Sequence, residues 1–188
     1  MVCAMSPPSF KRREIGSPRL WHWRAKRNAT GMSIEQVYRV QELNARYVEA
    51  IDDDRLEAWP DFFADDGCYR ITTAENVAQG LPLSLIYATS RAMLRDRVRA
   101  LREANVYESQ RYRHVLGAPR ILAADGTGLQ ARTPFMVARI MHSGETMLFA
   151  TGCYEDRVVP DGATAAHFAE KAVILDSRQI DTLLAIPL

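Results

Sequence analysis

From Tyr112 onward the apolar residues of this chain change period, from the three-and-four spacing of a helix to the alternation of a strand, and this switch constrains the fold more than any other feature. Four long strands are predicted: Tyr112–Ala123, Leu129–Met141, Thr146–Val158 and Ala165–Asp176. The turns between them carry Asp125-Gly126, Ser143-Gly144 and Asp161-Gly162, where glycine supplies the positive φ of a tight hairpin. In the third strand Met147, Phe149, Thr151 and Cys153 alternate with Leu148, Ala150, Gly152 and Tyr154. Both faces are therefore rather apolar, so one is expected to pack on helices and the other on a partner.

The helices come first. Ser33-Ile34-Glu35-Gln36 is a capping-box pattern, in which Ser33 accepts from the N3 amide and Gln36 reaches back to the Ser33 N–H. Val37, Val40, Leu43, Tyr47, Val48 and Ile51 follow on one face. The helix is expected to stop at Asp52-Asp53-Asp54, because acids at a helix C-terminus oppose its dipole. Arg55–Trp59 reads as a short second helix ended by Pro60, Cys68–Thr72 as a short strand, and Leu81–Tyr87 as either a strand or the start of a helix. Ser90–Arg102 reads as a helix with Met93, Leu94, Val98 and Leu101 on its buried stripe. The fold class is α+β: helices, then a long antiparallel meander that curls so that its concave face wraps the helices. The opposite face or an edge stays uncovered, and uncovered edges invite partners.

Met1–Gly31 is unlike the rest. It holds seven of the 24 Lys and Arg residues and one of the 23 acids, which leaves the remainder net acidic and argues against nucleic acid as its partner. With three prolines and no periodicity, it reads as a disordered basic extension or as translation from too early a start codon, ahead of a domain spanning 32–188. It lacks the continuous apolar core of a secretory signal. No apolar run reaches the roughly 18 residues of a membrane span. Cys3, Cys68 and Cys153 form no C-x-x-C pair, which points to free thiols in a reducing cytoplasm rather than to disulfides or zinc.

The search for chemistry returns little. His22, His114, His142 and His167 form no H-x-x-x-H or C-x-H pattern, so neither a Rieske cluster nor a two-histidine, one-carboxylate iron site is expected in this chain. Gly-rich phosphate loops and G-x-S-x-G elbows are missing as well. No catalytic residue and no metal ligand is assigned. One alternative stays open. The mouth of a curled sheet can hold a ligand, and Asp53, Tyr69 and His114 could line it and do acid–base work, as in a stand-alone dehydratase or isomerase. Arg111-Tyr112-Arg113-His114 interleaves Arg with aromatic residues. In an acidic domain this composition fits a protein interface better than a nucleic-acid site.

Trp59-Pro60-Asp61-Phe62-Phe63, Cys68-Tyr69-Arg70-Ile71, Ala104-Asn105-Val106-Tyr107-Glu108 and Arg111-Tyr112-Arg113-His114-Val115-Leu116-Gly117 together resemble the β (small) subunits of Rieske-type aromatic-ring-hydroxylating dioxygenases. So do Thr133–His142, Gly144-Glu145-Thr146, Phe149-Ala150, Asp181-Thr182-Leu183 and Ile186-Pro187-Leu188. The likeness covers about Met32–Leu188 and rests on the ordered series of matches rather than on one motif. It implies a cystatin-like cone of the nuclear-transport-factor-2-like kind. It implies a cytoplasmic bacterial enzyme in which three catalytic α subunits join three β subunits, with the β–β contact left open. The α subunit would carry the Rieske 2Fe–2S cluster and the mononuclear Fe(II), and NAD(P)H would act through a separate reductase. The substrate implied is an aromatic carboxylate, terephthalate ahead of salicylate- or benzoate-type acids. The β subunit would be a scaffold, and Trp59, Tyr69, Arg70, Tyr112, Arg113 and His114 are the expected interface residues, since Arg and aromatic side chains dominate contact hot spots.

Overall fold

Helix α1 (Ile34–Asp52) begins with the predicted cap: Gln36 N donates to Ser33 Oγ at 3.2 Å and Ser33 N donates to Gln36 Oε1 at 3.1 Å. The computed structural model describes residues 33–104, 108–162, 165–179 and 184–188, so the basic extension Met1–Gly31 and Cys3 lie outside it. The stripe Val40, Leu43, Tyr47, Val48 and Ile51 is buried as its spacing requires. At the end of α1 the chain turns through Asp54, whose φ of 57° lies in the left-handed region. The short second helix is a 3-10 helix that extends over Leu56–Phe62 and holds Pro60 inside it.

Strand β1 (Phe63–Thr73) is longer than Cys68–Thr72, and a one-turn helix α2 (Ala74–Ala78), not legible in the sequence, follows it. Of Leu81–Tyr87 only the end pairs, as β2 (Ile86–Ala88). Helix α3 (Arg91–Glu103) starts on Ser90, whose hydroxyl accepts from Met93 N, and buries Leu94, Val98 and Leu101. Met93 is exposed instead.

The expected strand Tyr112–Ala123 is two strands, β3 (Gln110–Leu116) and β4 (Arg120–Asp125). Gly117 and Pro119 interrupt it, and proline has no N–H to give to a ladder. Both pieces pair with β5 (Gly128–Met141), β4 with its first half and β3 with its second. β6 (Thr146–Asp161) and β7 (Ala165–Leu175) complete the sheet. Gly144 and Gly162 have positive φ, as their turns need. Gly126 does not; there Asp125 Oδ1 accepts from Thr127 N at 2.8 Å and closes the turn instead.

The strand order is β2-β1-β7-β6-β5-β3, with β4 also on β5. The antiparallel meander expected from Tyr112 onward is present, and β1 joins it in parallel on β7, so the sheet as a whole is mixed rather than antiparallel throughout. Alternation in a sequence reports which face a residue takes, not the direction of the neighbouring strand. Register shifts at Phe63/Cys68, Ile121/Ala123, Val137/Ala138 and Arg157/Val158 mark bulges, which bend and twist a sheet. The result is an open, curled sheet around α1, whose concave side carries an aromatic core of Tyr47, Trp59, Phe63, Tyr69, Tyr154 and Phe168. No described helix is long and apolar enough to cross a membrane.

Candidate functional site

The concave side of a curled sheet is where such a fold can hold chemistry. Here it holds two polar networks and a segment of the chain itself. The first network was not foreseen. Lys171 and Asp156 are cross-strand neighbours on β7 and β6, and both fall in the inward register. Lys171 Nζ, fully buried, donates to Asn44 Oδ1 at 2.7 Å and to Asp156 Oδ1 at 3.2 Å, and Asn44 Nδ2 donates to Asp156 Oδ2 at 3.0 Å. Three rings enclose the ammonium: its nitrogen lies 3.6 Å from the Tyr154 centroid, 4.3 Å from Phe168 and 4.5 Å from Tyr47. Ring faces attract a cation. Burial pushes Lys171 down to about 8, opposed by the Asp156 carboxylate. Burial likewise raises Asp156, opposed by Lys171 and Asn44. The signal was present in the sequence: Asn44 interrupts the apolar stripe of α1, and two opposite charges stand at inward positions of adjacent strands.

The second network joins α1 to β3. His114 Nδ1 lies 2.6 Å from Asp52 Oδ1, and the His114 backbone N–H donates to Asp52 Oδ2 at 2.9 Å. The imidazole is sealed, at 0% exposure, and its Nε2 makes no hydrogen bond within the described residues. The acid beside His114 is thus Asp52 and not Asp53, which is exposed and holds Arg55 at 3.4 Å.

The predicted trio of Asp53, Tyr69 and His114 is not assembled. Tyr69 is wholly buried, and its hydroxyl donates to the backbone oxygen of Leu188 at 3.1 Å. Tyr47 donates to the same oxygen at 2.7 Å. Leu184, Ala185, Ile186 and Leu188 are all buried within the cone's core, and Arg97 ties the segment down through the Leu184 carbonyl at 2.7 Å. With its imidazole enclosed and the cone filled, the Asp52–His114 pair fastens the end of α1 to β3.

The six expected interface residues divide. Trp59, Tyr69 and Tyr112 are 0%, 0% and 2% exposed and His114 is 7%, so their side chains are spent in the chain's own core and offer no surface to a partner. The reason is that inward register and hot-spot residue types coincide on β1 and β3, and residue type alone does not separate the two uses. Arg113 is exposed and lies 3.7 Å from Asp52. Arg70 is half-buried on the outer face of β1, paired across the ladder with Tyr87 of β2, which is 59% exposed.

Glu170, on the same outer face beside Cys68, is raised from the ordinary 4.5 to about 7, chiefly by burial, against the pull of Arg70 and Arg157. A carboxyl raised in the folded state gives stability that is present below pH 4.5 and lost as pH climbs through about 7. Glu170→Gln is therefore expected to flatten the fall in Tm between about pH 5 and 8 and to gain about 1 kcal/mol at the alkaline end. Thermal melts across that range test it, and an unchanged slope would assign the pH dependence to another group.

Among the described residues no group of three or more His, Cys, Asp and Glu could hold a metal ion. A Rieske cluster needs two cysteines and two histidines at one point. Cys68 and Cys153 lie on the outer face with strand β7 between them, whereas His114 faces inward, so among the described residues these donors do not fit that cluster.

Residues 32–171 match the family model described as a SnoaL-like domain. Over 150 residues the chain is 47% identical to the subunit beta 1 of the terminal oxygenase component of terephthalate 1,2-dioxygenase from Comamonas sp., covering 79% of this chain and 96% of that one. It is 37% identical to the anthranilate 1,2-dioxygenase small subunit of Burkholderia cepacia, covering 80% of this chain and 93% of that protein. Among solved structures it matches the β subunit assigned to an aromatic-ring-hydroxylating dioxygenase of Novosphingobium aromaticivorans. That match has a TM-score of 0.74 and 36% identity, and it covers 81% of this chain and 96% of that one. A cone filled by its own chain, on a fold and sequence shared along almost the full length of these relatives, places the chain in one family: it belongs to the β subunits of aromatic-ring-hydroxylating dioxygenases, built on a SnoaL-like domain.

Proposed function

We propose that this chain is the scaffold subunit of a bacterial cytoplasmic terminal oxygenase and contributes no catalytic residue to it. The observation that carries the reading is the filled cone, in which the tyrosine hydroxyls that could face a substrate are spent on Leu188. The oxygen chemistry then belongs to an α subunit bearing the Rieske 2Fe–2S cluster and a mononuclear Fe(II), fed from NAD(P)H by a reductase. The assembly is three α with three β. Terephthalate is the favoured substrate, supported by the 47% identity to a terephthalate dioxygenase β subunit.

The α subunit docks on the outer edge around Arg70 and Tyr87. Exposed Leu81, Leu83, Leu85 and Tyr87 cluster there, against a β2 whose paired neighbour is β1. A contiguous apolar edge rimmed by Arg is the composition of an interface core. Co-expression with the cognate α subunit is expected to give a mixed oligomer that oxidises terephthalate, with the isolated β chain inactive. Tyr87→Ala is expected to weaken assembly by about 2 kcal/mol, near thirtyfold in Kd. An α subunit that is trimeric and fully active alone would overturn the scaffold reading. Assembly untouched by Tyr87→Ala would overturn only the placement of the interface.

A further inference from the structure

Glu170 faces outward on β7, away from the concave core, with Cys68 beside it on β1 and Arg157 beside it on β6. It is 7% exposed. Among the described residues no hydrogen bond or ion pair reaches its carboxylate. Arg70 and Arg157 attract it through space, yet burial outweighs both and holds it at about 7. The ionised form is therefore incompletely compensated in the free chain, and it costs stability at neutral pH. Asp156 on the opposite face is also buried, but Lys171 and Asn44 both donate to it. A buried acid left without donors on an outer face points to a donor that comes from outside the chain. The other titratable and charged groups around Glu170 are Cys68 and Arg70 on β1, Glu155 and Arg157 on β6, Asp156 through the sheet, and Tyr87 on β2. Its cover is movable. Arg70 and Arg157 are half-buried, and the exposed Tyr87 reaches across β1 toward the Cys68 thiol. Tyr87 also stands on the apolar edge with Leu81, Leu83 and Leu85.

We propose that Glu170 is the ionic anchor of that edge: an Arg or Lys side chain of the α subunit enters beside Tyr87 and pairs with the Glu170 carboxylate. The inference rests on the docking edge described under the proposed function and adds the chemistry of the group that this edge receives. Pairing displaces the proton that Glu170 holds in the free chain, so assembly releases a proton and tightens as pH rises. With the free acid at about 7 and the paired acid fully ionised, the apparent affinity rises about tenfold between pH 6 and pH 8.

The test titrates the full-length β chain with its cognate α subunit in a calorimeter at pH 6, 7 and 8. Two buffers of different ionisation enthalpy count the protons, and release of about half a proton is expected at pH 7. Glu170→Gln removes an uncompensated charge, so the variant folds. It is expected to weaken association at least tenfold at pH 8 and to flatten the pH dependence. Glutamine keeps an acceptor for a neutral donor, so unchanged affinity of Glu170→Gln at pH 8 overturns the anchor. Affinity that is constant or falls from pH 6 to pH 8 overturns it too, since that marks an interface which merely buries the neutral acid. A pH dependence that survives in Glu170→Gln belongs to another group and overturns it equally. If α and β form no complex at any pH, the scaffold reading falls and the anchor with it, whereas a complex that shows none of these responses sinks the anchor alone.

Discussion

Asp156→Ala is expected to cost about 3–5 kcal/mol, the loss typical of breaking a buried ion pair from one side. Among the described residues the variant leaves Lys171 Nζ with Asn44 Oδ1 as its one remaining hydrogen-bond partner, inside a shell of three rings that attract a cation but do not replace a carboxylate. Burial already holds Lys171 at about 8. Removing Asp156 lowers it further, which favours the neutral amine and limits the loss. The pair is not a net source of stability in itself, because removing two ions from water costs about as much as their attraction returns. Asp156→Leu combined with Lys171→Met is therefore expected to recover most of what either single change loses. Urea denaturation of the four proteins in a double-mutant cycle measures this. Strictly additive losses would mean that the two charges do not act as a unit.

Gly152→Ala is expected to cost about 3 kcal/mol, the upper end for overpacking a tight interior. A Cβ at this position would stand 2.1 Å from the Ile174 carbonyl oxygen, 3.0 Å from its carbon and 3.2 Å from Leu175 Cα. All three are backbone atoms, so no rotamer change relieves the clash, and β6 must part from β7 where Gly152 faces Leu175. Gly126→Ala is the control: nothing lies within 4 Å of its Cβ and its φ is ordinary, so a change below about 0.5 kcal/mol is expected. Equal midpoints in urea for the two variants would show that the sheet yields at Gly152.

Much of the fold was legible because local rules agreed with the tertiary structure. Ser33 and Gln36 capped α1, Ser90 capped α3, and Gly144 and Gly162 took the conformation their turns require. What failed were decisions that no local window contains. Gly117 and Pro119 break a pattern that alternation alone carries through, and the direction of β1 is set by a strand at the other end of the chain. The site was harder still. The sequence points to His114 with Asp53 as its acid, whereas the helix runs one residue further and turns Asp52 inward. Trp59, Tyr69 and Tyr112 were assigned to a surface because their residue types suit one, yet those types suit an aromatic core as well. Nothing local marks Lys171 and Asp156, because neither belongs to a motif. Their meaning lies in a pairing across two strands.

The parallel pairing of β1 with β7 bears on how the molecule is made. Tyr69 waits for Lys171, about a hundred residues later, so β1 leaves the ribosome long before its neighbour exists. The hairpins of β4, β5 and β6 can zip as they emerge, each closing a short loop, whereas the β1–β7 ladder must close a loop of about a hundred residues. Synthesis therefore passes through a stage with two separate half-sheets, β1 paired with β2, and β3, β4 and β6 joined through β5, each with a raw edge. Those edges are exposed to mispairing until β7 arrives and joins them, so the last strand made decides whether the product is one sheet or an aggregate.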